Sequence, residues 1–255
     1  MRTVKVRDVI IGDGIPKICV PIVAKDSDEL RKNLEMIVKS KPDIVEFRAD
    51  IYEKYMDKDT IMDALRLIRG EIGNTALLYT IRTVGEGGNA NVAVFEYVKL
   101  LEEACASELI DLIDVEAYIQ DGVLTEISKK AHEHNVYVIA SNHDFHGTPE
   151  EDDIVNRLQY MDENGADIPK IAAMPQCKED VAALLNATIR YRQKDSKPAI
   201  TMSMGRLGLI SRLSGEIYGS AVTFASAGRS SAPGQIEVDD VRYILKLLHE
   251  DKDIQ

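Results

Sequence analysis

The sequence predicts a single (β/α)8 barrel over residues 1–255, with an N-terminal β-hairpin closing its bottom. Three observations carry that expectation. Short apolar β-type runs alternate with longer amphipathic stretches from end to end, and eight such runs fit into the 255 residues. Their spacing is about 30 residues, which is that of a strand plus a helix, and such alternation implies a parallel sheet. Eight units in about 250 residues is the count for a barrel. Finally, no Pro/Gly/Ser-rich linker and no shift in composition divides the chain.

The elements follow in order. Residues 4–14 precede the first barrel strand and end in Gly12-Asp13-Gly14, a turn signal, so they are expected to form the hairpin. The strand runs are 18–23, 44–50, 76–82, 112–117, 136–143, 168–174, 199–204 and 221–226. Between the first two, residues 28–40 place Leu30, Leu34, Ile37 and Val38 on one helical face. Residues 91–107, 181–190 and 241–249 repeat that pattern, and Pro149, Glu150 and Glu151 after Thr148 make a helix start. A doubly wound open sheet is the runner-up. It lacks its G-x-G-x-x-G fingerprint, since Gly85-Glu86-Gly87-Gly88 has the wrong spacing.

Composition narrows the function classes. At 45% hydrophobic residues the chain is not disordered, and Gly 16 with Pro 8 excludes a low-complexity chain. A net charge of −12 with no basic stripe argues against nucleic acid, and it also sits in tension with an anionic substrate. The N-terminus has no continuous apolar core of a signal segment, and no run approaches the ~18 residues of a membrane span. Three widely spaced cysteines, Cys19, Cys105 and Cys177, imply neither a disulfide framework nor a CxxC site. A cytoplasmic protein without membrane contact is expected.

Strands buried on both faces should read as nearly continuous apolar runs. Several here carry polar residues at alternate positions, which in a strand means one face. Glu46, Arg48 and Asp50 share such a face, as do Thr80 and Arg82, Asp114 and Glu116, and Ser141 and His143. Lys170 joins them from an apolar run, with Met202, Met204, Phe224 and Ser226 on the last two strands. Ions inside a barrel are unfavourable unless paired, so this set must form a network, either a structural plug or a site at the C-terminal mouth.

Lys170 is the sharpest residue. Burial and nearby cations favour a neutral amine, and a neutral amine forms a Schiff base with a carbonyl substrate. His143 ends the neighbouring strand, within reach of the carbon next to an iminium, and Glu86 is placed to orient it as a general base. A metal reading of His143-Asp144-Phe145-His146 is weaker, because no established ligand spacing accompanies it. Arg48, Arg82 and Arg212 suit carboxylate or diol contacts. The polar loop 230–235 suits a polyhydroxylated acid, or is simply the lead into the last helix.

Together these residues resemble type I 3-dehydroquinate dehydratases, Schiff-base enzymes of the shikimate pathway. The likeness runs through Lys17-Ile18-Cys19-Val20, Glu46-Phe47-Arg48-Ala49-Asp50 and Ser141-Asn142-His143-Asp144-Phe145. It continues in Asp167-Ile168-Pro169-Lys170-Ile171-Ala172, in Ile210-Ser211-Arg212-Leu213-Ser214-Gly215-Glu216 and in Ser231-Ala232-Pro233-Gly234-Gln235-Ile236. The resemblance implies a homodimer with no metal or organic cofactor, acting on 3-dehydroquinate. It implies that Lys170, His143 and Glu86 are catalytic and that Arg212, Ser231 and Gln235 hold the C1 carboxylate. Glu46, Arg48 and Arg82 would bind ring hydroxyls, with Met204 and Phe224 as apolar wall. Pro21 stands where some members carry a serine, and it offers no side-chain hydrogen bond. The loop bearing Ser231 and Gln235 is expected to act as a lid, with Gly228 and Gly234 as hinges. Two alternatives stay open: a Schiff-base aldolase, for which Gly205-Arg206-Leu207-Gly208 is a faint phosphate site, and a non-catalytic binding barrel.

Overall fold

The structure, a computed structural model, describes residues 2–193, 196–228 and 234–250. Strands β1 (Val4–Val6) and β2 (Val9–Ile11) form the antiparallel hairpin. Then come β3 (Lys17–Ile22), α1 (Ser27–Ser40), β4 (Ile44–Arg48), α2 (Lys58–Ile72), β5 (Ala76–Thr80) and α3 (Val94–Cys105). They are followed by β6 (Leu112–Glu116), α4 (Val123–Glu133), β7 (Tyr137–Asp144), α5 (Glu151–Glu163), β8 (Ile168–Ala173) and α6 (Lys178–Arg192). The chain ends in β9 (Ile200–Ser203), the short α7 (Leu209–Leu213) and α8 (Gly215–Tyr218), β10 (Val222–Phe224) and α9 (Val238–Glu250). The parallel order is β10-β3-β4-β5-β6-β7-β8-β9. A bridge between Ala199 and Ser220, with the Ala221 N–H donating to the Ala199 carbonyl at 2.8 Å, brings the ends together into the barrel.

The alternation of the strands separates two apolar layers. On β4 and β5, Val45, Phe47, Leu77 and Tyr79 pack outwards on the helices. Ile44, Ala76 and Leu78 point inwards, with Leu112, Ile139 and Ile168 from later strands. Val4, Val6 and Ile11 of the hairpin join that inner cluster from below and plug it. The hairpin is held there by Arg7, whose Nε lies 2.6 Å from Asp111 Oδ1, just before β6. So the inner core is apolar at the bottom, and the polar face begins one rung higher, at Glu46, Thr80 and Asp114.

Local details differ from the sequence expectation for definable reasons. In α1, capped by Asp26 accepting from the Asp28 and Glu29 amides, Leu30, Leu34 and Ile37 are buried. Val38, expected beside them, is 42% exposed, because it lies on the flank of that stripe. The strands expected over 44–50 and 76–82 stop at Arg48 and Thr80. Short 3-10 turns at Ala49–Ile51 and Val84–Glu86 follow them. The first turn is fixed by Arg48, which donates from Nε and Nη2 to both Asp50 oxygens at 2.8 Å. The last strand stops at Phe224, and Ser226 bridges to Glu237 instead. No helix among the described residues is long and apolar enough to cross a membrane.

Candidate active site

In the β7–β8 ladder Ser141 stands opposite Lys170, and His143 opposite Ala172. Lys170 and His143 therefore share the inner face of adjacent strands, with His143 two rungs nearer the C-terminal mouth. Both line one cavity at that mouth. Glu46, Arg48, Arg82, Glu86, Met204, Arg212, Phe224 and Gln235 line it too. Ser231, and with it the tip of the expected lid, lies outside the described residues. Phe145, Met202 and Ala172 complete the wall.

Beneath the mouth Lys170 is 3% exposed. Its Nζ donates to Asp114 Oδ2 at 3.0 Å and lies 4.7 Å from the centroid of the Phe224 ring. The Asp114 carboxylate, fully buried, also accepts from Arg82 Nη2 at 2.7 Å and Ser141 Oγ at 2.6 Å. Burial alone would raise that carboxyl, but the Arg82 and Lys170 charges hold it well below the usual range. Arg82 is the hub. Its Nη1 reaches Ser141 Oγ at 2.9 Å, Glu116 Oε1 at 3.1 Å and Glu86 Oε2 at 3.3 Å. Burial pulls its guanidinium down, and the three carboxylates push it well above its ordinary value. The interior ions are thus a network, as such a face requires. Sequence reading placed Asp114 and Glu116 on this face but not in the site, because depth within a barrel is set by register.

His143 is fixed by the turn after β5. Glu86 Oε2 accepts the His143 backbone N–H at 3.1 Å and lies 2.8 Å from Nδ1. A carboxylate only accepts, so Nδ1 is the donor and the lone pair is left on Nε2. Burial raises the Glu86 carboxyl from 4.5 to about 7, against the pull of Arg82. Burial also pushes the imidazole well below its ordinary value, helped by Arg82 and Lys170. The ring is therefore neutral near pH 7, the state of a general base. Gly87 has φ +78°, and a Cβ there would stand 2.3 Å from Phe145 Cε2, so the turn needs glycine to carry Glu86 under the ring. That explains Gly87 in the run whose spacing fitted no dinucleotide fingerprint.

Arg212, on α7, is buried and has Nη1 3.6 Å from Met202 Sδ. Burial lowers its guanidinium to about 10. Glu46 accepts the Thr80 hydroxyl at 2.9 Å. His143 spends Nδ1 on Glu86, and Asp144 Oδ1 accepts the His146 amide at 3.0 Å. Among the described residues no group of three His, Cys, Asp or Glu side chains is placed to hold a metal ion. In the faint phosphate motif, a Cβ on Gly208 would meet the Ser203 carbonyl oxygen at 2.2 Å, so this glycine serves close packing on β9.

The model of the family described as type I 3-dehydroquinase matches residues 18–252. A Bacillus velezensis protein named 3-dehydroquinate dehydratase is 45% identical over 251 residues, covering 98% of this chain and 99% of its own. The type I 3-dehydroquinate dehydratase of Clostridium difficile, solved with covalent modified comenic acid, superposes with a TM-score of 0.94 at 43% identity, covering 98% of each chain. The 3-dehydroquinate dehydratase of Geobacillus kaustophilus superposes with a TM-score of 0.95 at 38% identity, again over 98% of each chain.

Proposed function

The chain belongs to the type I 3-dehydroquinase family, and on that premise we propose that Lys170 is the amine that attacks the C3 ketone of 3-dehydroquinate. Enzymes of this family are hydro-lyases of the shikimate pathway, and they work through a Schiff base. His143 Nε2 takes the proton that Lys170 sheds and returns it to the carbinolamine hydroxyl, which leaves as water and gives the iminium. His143 then removes a C2 proton, and the electron pair passes into the iminium, an electron sink, to form the enamine. The enamine expels the C1 hydroxyl with that same proton, a syn loss of water. Hydrolysis of the conjugated iminium frees 3-dehydroshikimate and Lys170, and one molecule of water is lost overall.

The other assignments follow from charge and position. Glu86 holds the His143 tautomer and stabilises the imidazolium that forms. Arg212 and Gln235 take the C1 carboxylate, with Glu46, Arg48 and Arg82 on the ring hydroxyls. Met204 and Phe224 form the apolar wall. The protein is read as one domain over 1–255, a cytoplasmic homodimer without metal or organic cofactor. Exposed Ile217 on α8 and exposed Tyr243 and Leu247, one turn apart on α9, favour pairing through that face.

The observation that carries the reading is the placing of Lys170 and His143 on adjacent strands, two rungs apart, over one cavity. Borohydride reduction of the protein with 3-dehydroquinate, followed by peptide mass mapping, tests it. A reduced adduct on Lys170 is expected. An adduct on another lysine, or none, overturns the assignment.

A further inference from the structure

We propose that Asn142 and Arg157 are positioning residues for this reaction: Arg157 fixes the Asn142 amide so that it donates to Glu86 and holds that carboxylate against His143. The proposal rests on the reading of Glu86 and His143 given above. Neither residue lines the cavity. Asn142 lies between Ser141 and His143 on β7, so its side chain leaves by the opposite face, towards α5. A polar residue is out of place on that face of a parallel strand, where helix packing favours apolar side chains.

Its hydrogen bonds explain it. Asn142 Nδ2 donates to Glu86 Oε1 at 3.3 Å, and Asn142 Oδ1 accepts from Arg157 Nη1 at 2.9 Å. A guanidinium only donates and a carboxylate only accepts, so the amide has a single orientation that satisfies both. Arg157 is held in turn by Asp153 Oδ2 at 2.8 Å, one turn away on α5. The result is a continuous chain, Asp153–Arg157–Asn142–Glu86–His143, from the outer helix to the mouth. Each Glu86 oxygen has its own task. Oε1 takes Asn142, while Oε2 takes the His143 ring and backbone and Arg82. Without Arg157 the amide keeps only its single bond to Glu86, and the donor that fixes its plane through Oδ1 is lost.

The charged groups around Glu86 give the sign of the effect. Arg82, two residues beyond β5, favours its ionised form, while burial and the Glu116 and Asp114 carboxylates on β6 oppose it. His143 faces it from β7, and Tyr118 lies close by after β6. Arg157, Asp153 and Asp144 stand beyond Asn142, with Arg157 Nη1 4.0 Å from Asp144 Oδ2. The bond from Asn142 favours the ionised carboxylate, so its loss moves proton uptake to higher pH.

The test is kcat/KM against pH for the full chain, since this ratio reports the free enzyme's essential groups. Wild type, Asn142→Ala, Arg157→Leu, Arg157→Lys, the Asn142→Ala/Arg157→Leu double variant and Glu86→Gln are compared, each checked for wild-type circular dichroism. Asn142→Ala should raise the acid limb by about one pH unit, the scale of one lost hydrogen bond to a charge. Arg157→Leu should raise it by less, and Arg157→Lys, which keeps a donor, should stay close to wild type. The double variant should match Asn142→Ala, because Arg157 acts through Asn142. An unmoved limb in Asn142→Ala, or additive shifts in the double variant, overturns the proposal if Glu86→Gln still changes the profile. If Glu86→Gln leaves the profile intact, the reading of Glu86 itself fails, and the proposal with it.

Discussion

Replacing Glu86 by glutamine should slow the enzyme and stabilise it. When His143 takes a proton, the imidazolium faces Glu86 across the 2.8 Å contact at Nδ1. Unit charges about 4 Å apart interact by about 4 kcal/mol at an effective dielectric of about 20. With the proton partly transferred in the transition state, about 2–4 kcal/mol of that is at stake, or about thirty- to a thousand-fold in kcat. Glutamine keeps an oxygen for Nδ1–H only by turning its amide nitrogen towards Asn142, donor against donor. Stability moves the other way. The carboxyl rises from 4.5 to about 7 on folding, chiefly through burial, so its contribution is full below pH 4.5 and lost as pH rises through about 7. That shift is worth about 3 kcal/mol. Above pH 8 the variant should therefore melt several degrees higher than wild type, and near pH 4.5 the two should converge. Thermal melts at both pH values, with steady-state kinetics at pH 8, check this. A variant that keeps more than a third of wild-type kcat, or melts lower at pH 8, would refute the reasoning.

Lys170→Met should reduce turnover to background yet remain folded, because Asp114 keeps Arg82 and Ser141 as donors. A stability loss of about 1–3 kcal/mol is expected in a denaturant titration, the scale of one hydrogen bond to a charge. Arg212→Met should lower kcat/KM by at least about thirty-fold, since truncating one partner of a buried charge pair costs about 2–5 kcal/mol. The effect should be smaller on kcat than on KM in initial-rate assays. Gly87→Ala meets both a φ of +78° and the Phe145 ring, so the turn carrying Glu86 must shift. A loss of about 1–2 kcal/mol is expected from the left-handed backbone, and a displacement of about 1 Å at Glu86 should slow kcat by up to about a hundred-fold.

The barrel was legible because its signal is periodic: a run of alternating apolar residues reports its own two faces without knowledge of its neighbours. Strand ends were not, because distant partners set them. The pattern through Arg82 continues the strand, but the chain leaves the ladder at Thr80. There Glu116, from the next strand, takes the Thr83 amide at 2.8 Å and hydroxyl at 2.7 Å. The same limit explains the site. Lys170, His143 and Glu86 stand out as ionisable residues on or beside inner faces. Asp114 has the same pattern, but its contact with Lys170 depends on a register spanning three strands: Glu116 opposite Ser141, and Ser141 opposite Lys170. Asn142 and Arg157 gave no signal as a pair. One lies on a face expected to be apolar, and the other looks like any helical arginine with an acid one turn away.

Register also changes the account of charge. Counting Arg48, Arg82, Arg212 and Lys170 against Glu46 and Glu86 gives an excess of two positives, which suited a carboxylate substrate in a protein of net charge −12. The fold brings Asp50, Asp114 and Glu116 to the same cations, so four positives meet five carboxylates. An excess of cations is therefore not what favours the substrate. Arg48 is turned to Asp50, and Arg82 and Lys170 are bound to Asp114. Burial pulls the Arg212 guanidinium down to about 10. A carboxylate arriving beside it would restore electrostatic stabilisation that folding removed, in a place water reaches poorly. With Arg212 proposed as the carboxylate site, the position of one desolvated guanidinium is expected to decide more at the mouth than the sum of charges does. The acidity of the outer surface, screened beyond about 8 Å at physiological salt, decides less still.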